Sequence, residues 1–342
     1  MEPSTVSLER APVIALQVAS SPLAEKSTAL PDCTERLDYP STLSGQFIWT
    51  YVGAFVLLHA SALLVLWPWL FSWVGAILLP LGVHVFGGVG ISVCYHRLLA
   101  HRAFRTPKWV EYVFATMAVC CMQDTPARWV AIHRKHHQKT DEQEDPHSPL
   151  VSFFWGHFGW LLVENEAVCN FGFYDKYARD ILRDPYYFFL ERNFVWLGIY
   201  AAHAVLYFAA GFGLGYLWTY EGMDPMASGL RLGLSVVVWG VLLRTVIAWH
   251  ITWSVNSIGH LWGYRNYSTA DHSRNHAWLG VISSGEGWHN NHHADPRCAK
   301  LGHRWWEIDS GWWTIALLEK CGLADEIVAE PRTKGLEGGD DH

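Results

Sequence analysis

Four long apolar runs constrain the fold of this chain more than any other feature. They occupy residues 47–66, 71–93, 194–218 and 229–251. Each has about the 20 residues that a helix needs to cross the hydrocarbon core of a bilayer. Hydrophobic residues make up 51% of the chain and charged residues only 17%, and the apolar residues are clustered rather than periodic. We therefore expect membrane-spanning helices rather than one large soluble core.

The connections between these runs predict their arrangement. The turn Trp67-Pro68-Trp69 joins the first two runs and residues 219–228 join the last two, which predicts two helical hairpins. The predicted fold class is an all-α integral membrane protein, with a helical cap built from 94–193 and 252–325. The predicted domain is 46–325. It lies between a disordered tail at 1–45, rich in Ser, Pro, Thr and Ala, and a C-terminal tail at 326–342.

The positions of the basic residues predict the orientation of the chain, because Lys and Arg favour the cytoplasmic side of a membrane. Residues 94–193 contain twelve Lys and Arg, and the segment after residue 252 contains eight, whereas the two hairpin turns contain none. We expect the cap and both termini to face the cytoplasm. With a net charge of −7 and no basic stripe, nucleic acid is not an expected partner.

Histidines are concentrated in three clusters just outside the apolar runs. The clusters are His96 with His101, then His133, His136 and His137, then His289, His292 and His293; Asn256 and His260 lie between the last two. These nine imidazoles are too many for one tetrahedral or octahedral ion and suit two. Imidazole is a neutral nitrogen ligand for iron, zinc and copper.

Helical spacing explains how the clusters can converge. Positions i, i+3 and i+4 of an α-helix share a face, and both H-x-x-H-H clusters have this spacing. Asn256 and His260 are one turn apart. His96 and His101 differ, because five residues correspond to roughly 140° of rotation. They either serve different metals or straddle the end of a membrane helix.

The residue types that the clusters lack bear on which metal they hold. They contain no Asp or Glu, unlike carboxylate-rich di-iron bundles, and the HExxH signature of zinc proteases is absent. Redox-active iron that handles dioxygen fits best, and copper is the open alternative. The seven cysteines form no CxxC or Cys/His zinc pattern.

Five stretches of the chain resemble the membrane fatty-acyl desaturases of the stearoyl-CoA desaturase-like group. They are YHRLLAHR (95–102), WVAIHRKHH (129–137) with DPHSP (145–149), TWSVNSIGH (252–260) and GEGWHNNHH (285–293). WWE (305–307) and the aromatic residues after it are most similar to the bacterial and cyanobacterial branch, which implies a bacterial inner membrane as the location. The resemblance covers about residues 45–325.

The resemblance implies two ferrous iron ions and dioxygen as co-substrate. It also implies a role for each residue that matches a functional position of the family. The implied ligands are His96, His101, His133, His136, His137, His260, His289, His292 and His293, with Asn256 holding a metal-bound water. Gln123, Trp129, Thr252 and Trp253 match positions that line the bend of the acyl tunnel. His84 and Gly88, one turn apart in the second run, are expected near the tunnel floor. His250, His272 and His276 are not expected to be ligands.

One departure from the family bears on the acyl carrier. In the animal acyl-CoA enzymes an Arg-Asp pair that helps to hold the CoA precedes the second cluster, but Ala131 and Ile132 stand there in this chain. The substrate is therefore expected to be an acyl chain on a membrane lipid or on another carrier, with acyl-CoA still open. The resemblance suggests a cis double bond at the Δ9 position.

Three further expectations concern supporting residues and partners. Glu142, Glu144, Asp145 and Glu286 are candidates to hold the ligand histidines, since such histidines usually donate their other N–H to a carboxylate or carbonyl. Arg244 in the fourth run is expected either to reach the headgroups or to pair inside the protein. No haem, iron–sulfur or nucleotide motif is visible, so electrons are expected from a separate carrier such as ferredoxin or a small cytochrome.

Two other functions remain open at this point. A related histidine-rich hydroxylase would use the same site but add oxygen to the chain. A membrane metal transporter would need ligands halfway across the bilayer, whereas these clusters lie outside the apolar runs.

Overall fold

The computed structural model describes residues 36–332. Within this range four helices are long and apolar enough to cross a membrane: Trp49–Leu66, Trp73–Ala100, Val195–Leu217 and Pro225–Leu261. We call them spans 1 to 4. They confirm the predicted runs by length and composition, but spans 2 and 4 end at Ala100 and Leu261 rather than at 93 and 251. The apolar runs end earlier than these two helices because the last turns of both helices carry polar residues.

The first two spans change their winding along their length. Span 1 consists of α1 (Trp49–Ala62) and a 3₁₀ turn (Leu63–Leu66), and a second 3₁₀ turn (Pro68–Leu70) follows it. Span 2 consists of α2 (Trp73–Gly82) and a π-helical segment (Val83–Ala100). The Ser72 hydroxyl caps α2 by accepting from the Gly75 N–H (3.0 Å), which fixes where the helix begins.

Short helices fill the connection between spans 2 and 3. They are α3 (Lys108–Val119), α4 (Pro126–Lys139), a π-helical turn (Trp155–Gly159), α5 (Trp160–Leu162), a 3₁₀ turn (Glu166–Val168), α6 (Phe171–Tyr177), α7 (Arg179–Leu182) and α8 (Pro185–Leu190). The main hydrophobic core lies where α3 and α4 pack against the second half of span 2.

The remaining helices follow in chain order. Span 3 is α9 (Val195–Leu217). Span 4 consists of α10 (Pro225–Val237), a π-helical segment (Val238–Leu243) and α11 (Arg244–Leu261), and after it come α12 (Ala277–Ile282), α13 (His289–Ala294) and α14 (Ser310–Lys320). Asp224 caps span 4 by accepting from the Ala227 N–H (3.0 Å).

A small antiparallel sheet, which the sequence did not predict, ties the start of span 1 to the connection. Strand β1 (Leu43–Phe47) pairs with β2 (Val163–Asn165), with Leu43 opposite Asn165. Ordered structure therefore begins inside the predicted tail 1–45, and at the other end the Val328 N–H still bonds to the Ala103 carbonyl (3.0 Å). Residues 1–35 and 333–342 of the predicted tails lie outside the described residues.

Spans 3 and 4 pack closely through small residues. A Cβ on Gly229 or Gly233 would lie 3.0 Å or less from the ring of Phe212 or Phe208, so only glycine permits this approach. Spans 1 and 2 both contact the π-helical segment of span 4. Span 4 is thus the central helix of the four.

Arg244 is fully buried in span 4 and pairs inside the protein, one of its two predicted positions. It donates to the carbonyls of Cys120 (2.8 Å) and Gly240 (3.2 Å), and its guanidinium lies over the Phe86 ring (4.4 Å). These contacts join span 4 to the end of α3, so that the cost of a buried charge is offset by hydrogen bonds.

Candidate metal centre

The nine predicted histidines converge into two adjacent groups, and within each group the ligand atoms lie within 4.8 Å of one another. The first group contains five histidines and the second contains four. The members of the first are His96, His101, His133, His137 and His292, and those of the second are His136, His260, His289 and His293. Residues from spans 2 and 4, α4 and α13 therefore meet at one place.

Each H-x-x-H-H cluster divides its histidines between the two groups, whereas the spacing alone allowed each cluster to aim at one point. On α4, His133 and His137 belong to the first group and His136 to the second. On α13, His292 belongs to the first group, and His289 and His293 belong to the second. The division follows helix geometry: residues four apart differ by about 40° in direction, while adjacent residues differ by about 100°.

The winding of span 2 brings His96 and His101 into the same group. The His101 N–H bonds to the His96 carbonyl (3.1 Å), an i to i+5 bond typical of π-helix. This wider turn aligns residues that an α-helix would point roughly 140° apart. Their ring centroids lie 4.8 Å apart. Of the two alternatives, the pair straddles the helix end, and its members do not belong to different groups.

Four carboxylates contact the outward nitrogens of the histidine rings. The Nδ1 atoms of His96, His136, His260 and His293 lie 2.6 to 3.0 Å from Glu286, Asp145, Asp141 and Asp271. Asp145 and Glu286 were predicted. The other two predicted carboxylates, Glu142 and Glu144, pair with Lys139 instead and do not contact the centre.

Sequence reasoning missed Asp141 and Asp271. Asp141 lies four residues beyond His137, so its proximity to a cluster was a usable signal. Asp271 is 22 residues from His293 in sequence, and no local pattern identifies it. For all four carboxyl groups the pKa is below its usual value: burial alone would raise it, but the adjacent histidines outweigh burial.

Five of the clustered histidines outside the membrane-spanning segments are held in their neutral form. The imidazole pKa is lowered well below its usual value, first by burial and then by neighbouring imidazoles, for His101, His133, His137, His289 and His292. Neutral imidazole is the form that binds a metal ion.

Among the described residues, the inward nitrogens either contact only one another or have no partner. His292 Nε2 lies 2.9 Å from both His96 Nε2 and His137 Nε2. Nε2 of His136 and of His293 is buried without a hydrogen-bond partner among the described residues. A cation at the centre of each group would satisfy all these lone pairs at once, so the donor set fits metal ions.

Two cavities meet beside the first group. The outer cavity, of about 340 Å³, lies among α1, α4 and α11, and the inner cavity, of about 50 Å³, lies between span 2 and α11. Trp129, His133, Thr252 and Asn256 line both. Two mainly apolar cavities thus lie side by side, directly beside a histidine of the metal centre.

The residues predicted to line the acyl tunnel line one or both of these cavities, with the exception of His84. Gln123 and Trp253 line the outer cavity, and the Gln123 amide donates to the Thr252 hydroxyl (3.0 Å). Gly88 lines the inner cavity. His84 is not among the residues lining the inner cavity, and its Nδ1 contacts the Ser284 hydroxyl (3.3 Å).

The three histidines that were not expected to be ligands lie outside both groups. His250 bonds to His59 and His157, His272 donates its backbone N–H to Asp141 (2.9 Å), and the ring of His276 lies beside Trp278. His147 was not singled out, although it packs on His136 with ring centroids 4.4 Å apart and lines the outer cavity.

Comparison with known proteins identifies the family. A model of the family described as fatty acid desaturase matches residues 71–320. The chain belongs to the fatty acid desaturase family. It is 41% identical over 296 residues to the sn-2 palmitoyl-lipid 9-desaturase of Nostoc sp. (strain 36), a match that covers 86% of this chain and 95% of that protein.

Two plant desaturases are similar over most of their length. Identity is 41% over 276 residues to Delta-9 acyl-lipid desaturase 1 of Arabidopsis thaliana, covering 81% of this chain and 82% of that one. It is 39% over 243 residues to the acyl-CoA C20 Delta5-desaturase of Anemone leveillei, covering 71% and 70%. The resemblance inferred from the sequence is confirmed. The protein is an oxidoreductase that desaturates fatty-acyl chains in an oxygen-dependent reaction.

Proposed function

We propose that this desaturase introduces a cis double bond at Δ9 of an acyl chain carried by a membrane lipid, using two iron ions. The observation that carries this proposal is the position of His133. It belongs to the five-histidine group and lines both cavities, so a chain threaded through them would pass beside one metal.

The proposed ligands are the nine histidines of the two groups, with Asn256 acting through a water. Asn256 supports this role because it lines both cavities beside His133. Iron is favoured because the reaction uses dioxygen and the donor set consists of neutral nitrogens without a directly bound carboxylate. Two ferrous ions held there would supply the activation of dioxygen that cleavage of unactivated C–H bonds requires.

The protein's own part is to hold the chain and exclude water. Trp129 stacks on His133, with centroids 4.9 Å apart and planes at 23°, which fixes both the ring and the wall beside it. Gln123 and Thr252, which also line the outer cavity, are fixed by their hydrogen bond. The overall reaction converts a –CH2–CH2– unit, dioxygen, two electrons and two protons into –CH=CH– and two waters, and a dry site protects it from side reactions.

A lipid carrier is supported by two observations. The positions of the CoA-binding Arg-Asp pair are occupied by Ala131 and Ile132, whose exposed fractions are 0% and 4%. Neither offers a charge to a phosphate. The Nostoc and Arabidopsis relatives are named as lipid desaturases, although the Anemone relative is named as an acyl-CoA enzyme.

The proposed topology places the metal centre and both termini on the cytoplasmic side of a bacterial inner membrane, with spans 1 and 2 and spans 3 and 4 as hairpins under a helical cap. The twelve Lys and Arg of 94–193 support this orientation. Electrons would arrive at this face from a ferredoxin or a small cytochrome.

Expression in a host that lacks unsaturated-lipid synthesis tests the function. We expect cis-Δ9 monounsaturated chains in its membrane lipids in air and none without oxygen, measured by mass spectrometry of intact lipids and of derivatised fatty acids. Products that gain oxygen instead of losing two hydrogens would favour a hydroxylase. Metal uptake into vesicles without any lipid product would favour a transporter.

Removing the charge of Asp271 tests the supporting carboxylates. The Asp271→Asn variant should bind iron about 10–100-fold more weakly, because loss of such a partner typically has an effect of this size. Iron affinity of the purified protein would be measured by competition with a chelator. Asp175→Asn, which alters only an exposed ion pair with Arg179, should leave it unchanged. Equal affinities in both variants would contradict the role of Asp271.

A further inference from the structure

A buried arginine in the wall of the outer cavity has unused hydrogen-bonding capacity. Arg128 lies in the first turn of α4, with a side chain only 14% exposed. It lines the outer cavity together with Tyr51, Asp124 and Tyr174. Its Nε atom is buried and has no hydrogen-bond partner among the described residues. The exposed part of the side chain lies in the cavity wall, so a polar atom of a bound molecule would add a hydrogen bond to a guanidinium that is incompletely paired.

The neighbours of Arg128 hold its guanidinium in place without using all of its donors. The Asp124 carboxylate lies 3.4 Å from Nε and balances the charge, but not in hydrogen-bonding geometry. One terminal nitrogen donates to the Tyr174 hydroxyl (3.3 Å), and the guanidinium lies 5.5 Å from the centre of the Tyr51 ring. The Tyr51 hydroxyl in turn bonds to Asp124. The arginine is thus oriented before any ligand binds.

The distance along α4 from Arg128 to His133 is close to the length of an acyl chain from its carbonyl carbon to carbon nine. Arg128 and His133 are five residues apart on one helix, a rise of about 7.5 Å, and both line the outer cavity. An extended chain advances about 1.2 Å per bond, judged from three bonds per residue in an extended peptide. The eight bonds from the carbonyl carbon to carbon nine then cover about 10 Å. The arginine side chain is long and extends towards the start of the helix, so it accounts for the difference between the helix rise and the chain length.

We propose that Arg128 donates a hydrogen bond to the carbonyl oxygen of the ester that joins the acyl chain to its lipid, and so determines which carbons lie beside the metal centre. It is a residue that determines the position of the double bond and contacts no reacting carbon. The inference rests on the proposed function, because it takes the outer cavity as the path of the chain.

The test is the position of the double bond in variants expressed in the desaturation-deficient host. In Arg128→Met we expect product yield to fall about 10–100-fold, the range for losing a hydrogen bond to a charged group. The remaining product should contain double bonds at several neighbouring positions. Arg128→Lys keeps the charge, so most of its double bonds should again lie at the single original position. Mass spectrometry of derivatised fatty acids measures both the product yield and the positions of the double bonds.

Two further variants separate this role from a structural one. Tyr174→Phe removes only the hydroxyl that orients Arg128, so it should broaden the positions to a smaller extent even if Arg128→Met does not accumulate. Arg179→Met, which alters an exposed ion pair on α7, should match the unaltered protein. Double bonds confined to one position in both Arg128→Met and Tyr174→Phe, whatever their yield, would overturn the proposal.

The same experiment distinguishes failure of the inference from failure of the proposed function. If the unaltered protein makes no unsaturated lipid, the proposed function fails and the inference fails with it. If it does make the Δ9 product and the variants keep that position, only the role of Arg128 is wrong.

Discussion

Replacing His292 by alanine is expected to abolish desaturation while leaving the protein in the membrane. The Nε2 atom of this residue lies 2.9 Å from two other nitrogens of the five-histidine group, so it is central to one proposed metal site. Even partners outside the ligand set typically contribute 10–100-fold to activity or affinity, and loss of a ligand should exceed that. We expect no detectable unsaturated product and about one iron fewer per protein.

The companion variant His136→Ala removes a residue of the other group and should have the same effect on product. Iron analysis then tests the division into two groups, because His136 and His292 belong to different groups and each variant should lose one of the two ions. His276→Ala, a histidine outside both groups, is the matched control and should retain activity. Activity retained by both His136→Ala and His292→Ala would contradict the ligand assignment, whatever their iron content.

Substituting Gly87 by leucine should shorten the chains that the enzyme accepts. Gly87 lines the inner cavity, and a Cβ there would lie in ordinary contact with Ala248 (3.8 Å). The larger side chain can therefore enter the cavity without disturbing the helix. Each carbon of the substrate occupies about 1.2 Å of path, so a shift of about two to four carbons in preferred length is expected. Feeding saturated fatty acids of graded length and measuring each product gives this preference.

Two controls make the effect on chain length specific. A Cβ on Gly198 in span 3 would have no neighbouring atom within 4 Å, so Gly198→Leu adds the same bulk away from the cavities and should leave the preference unchanged. Gly88→Ala places its methyl group against the Ser284 hydroxyl and should disturb packing at the wall. An unchanged length preference in Gly87→Leu, at normal protein levels, would show that the chain does not enter the inner cavity.

Features that depend on local sequence were predicted from the chain alone. The four spans follow from unbroken apolar runs, because a helix in lipid must be apolar over its whole length. The helices that carry the second and third histidine clusters follow from spacing, since residues one turn apart share a face. The set of nine converging histidines and the family itself were also visible in the sequence. Asp145 and Glu286 were found because they lie close to clusters along the chain.

Other features were decided only by tertiary structure, because they depend on contacts between residues distant in sequence. The π-helical winding that aligns His96 with His101 is a departure from regular helix that the pattern of residues does not reveal. The partnership of Asp271 with His293, and the position of Arg128 in the wall of the outer cavity, exist only after the chain folds. The sequence therefore determined which histidines converge and which of them lie one turn apart on a helix. Packing between helices decided which histidines share a group, which carboxylates contact them and where the two cavities lie.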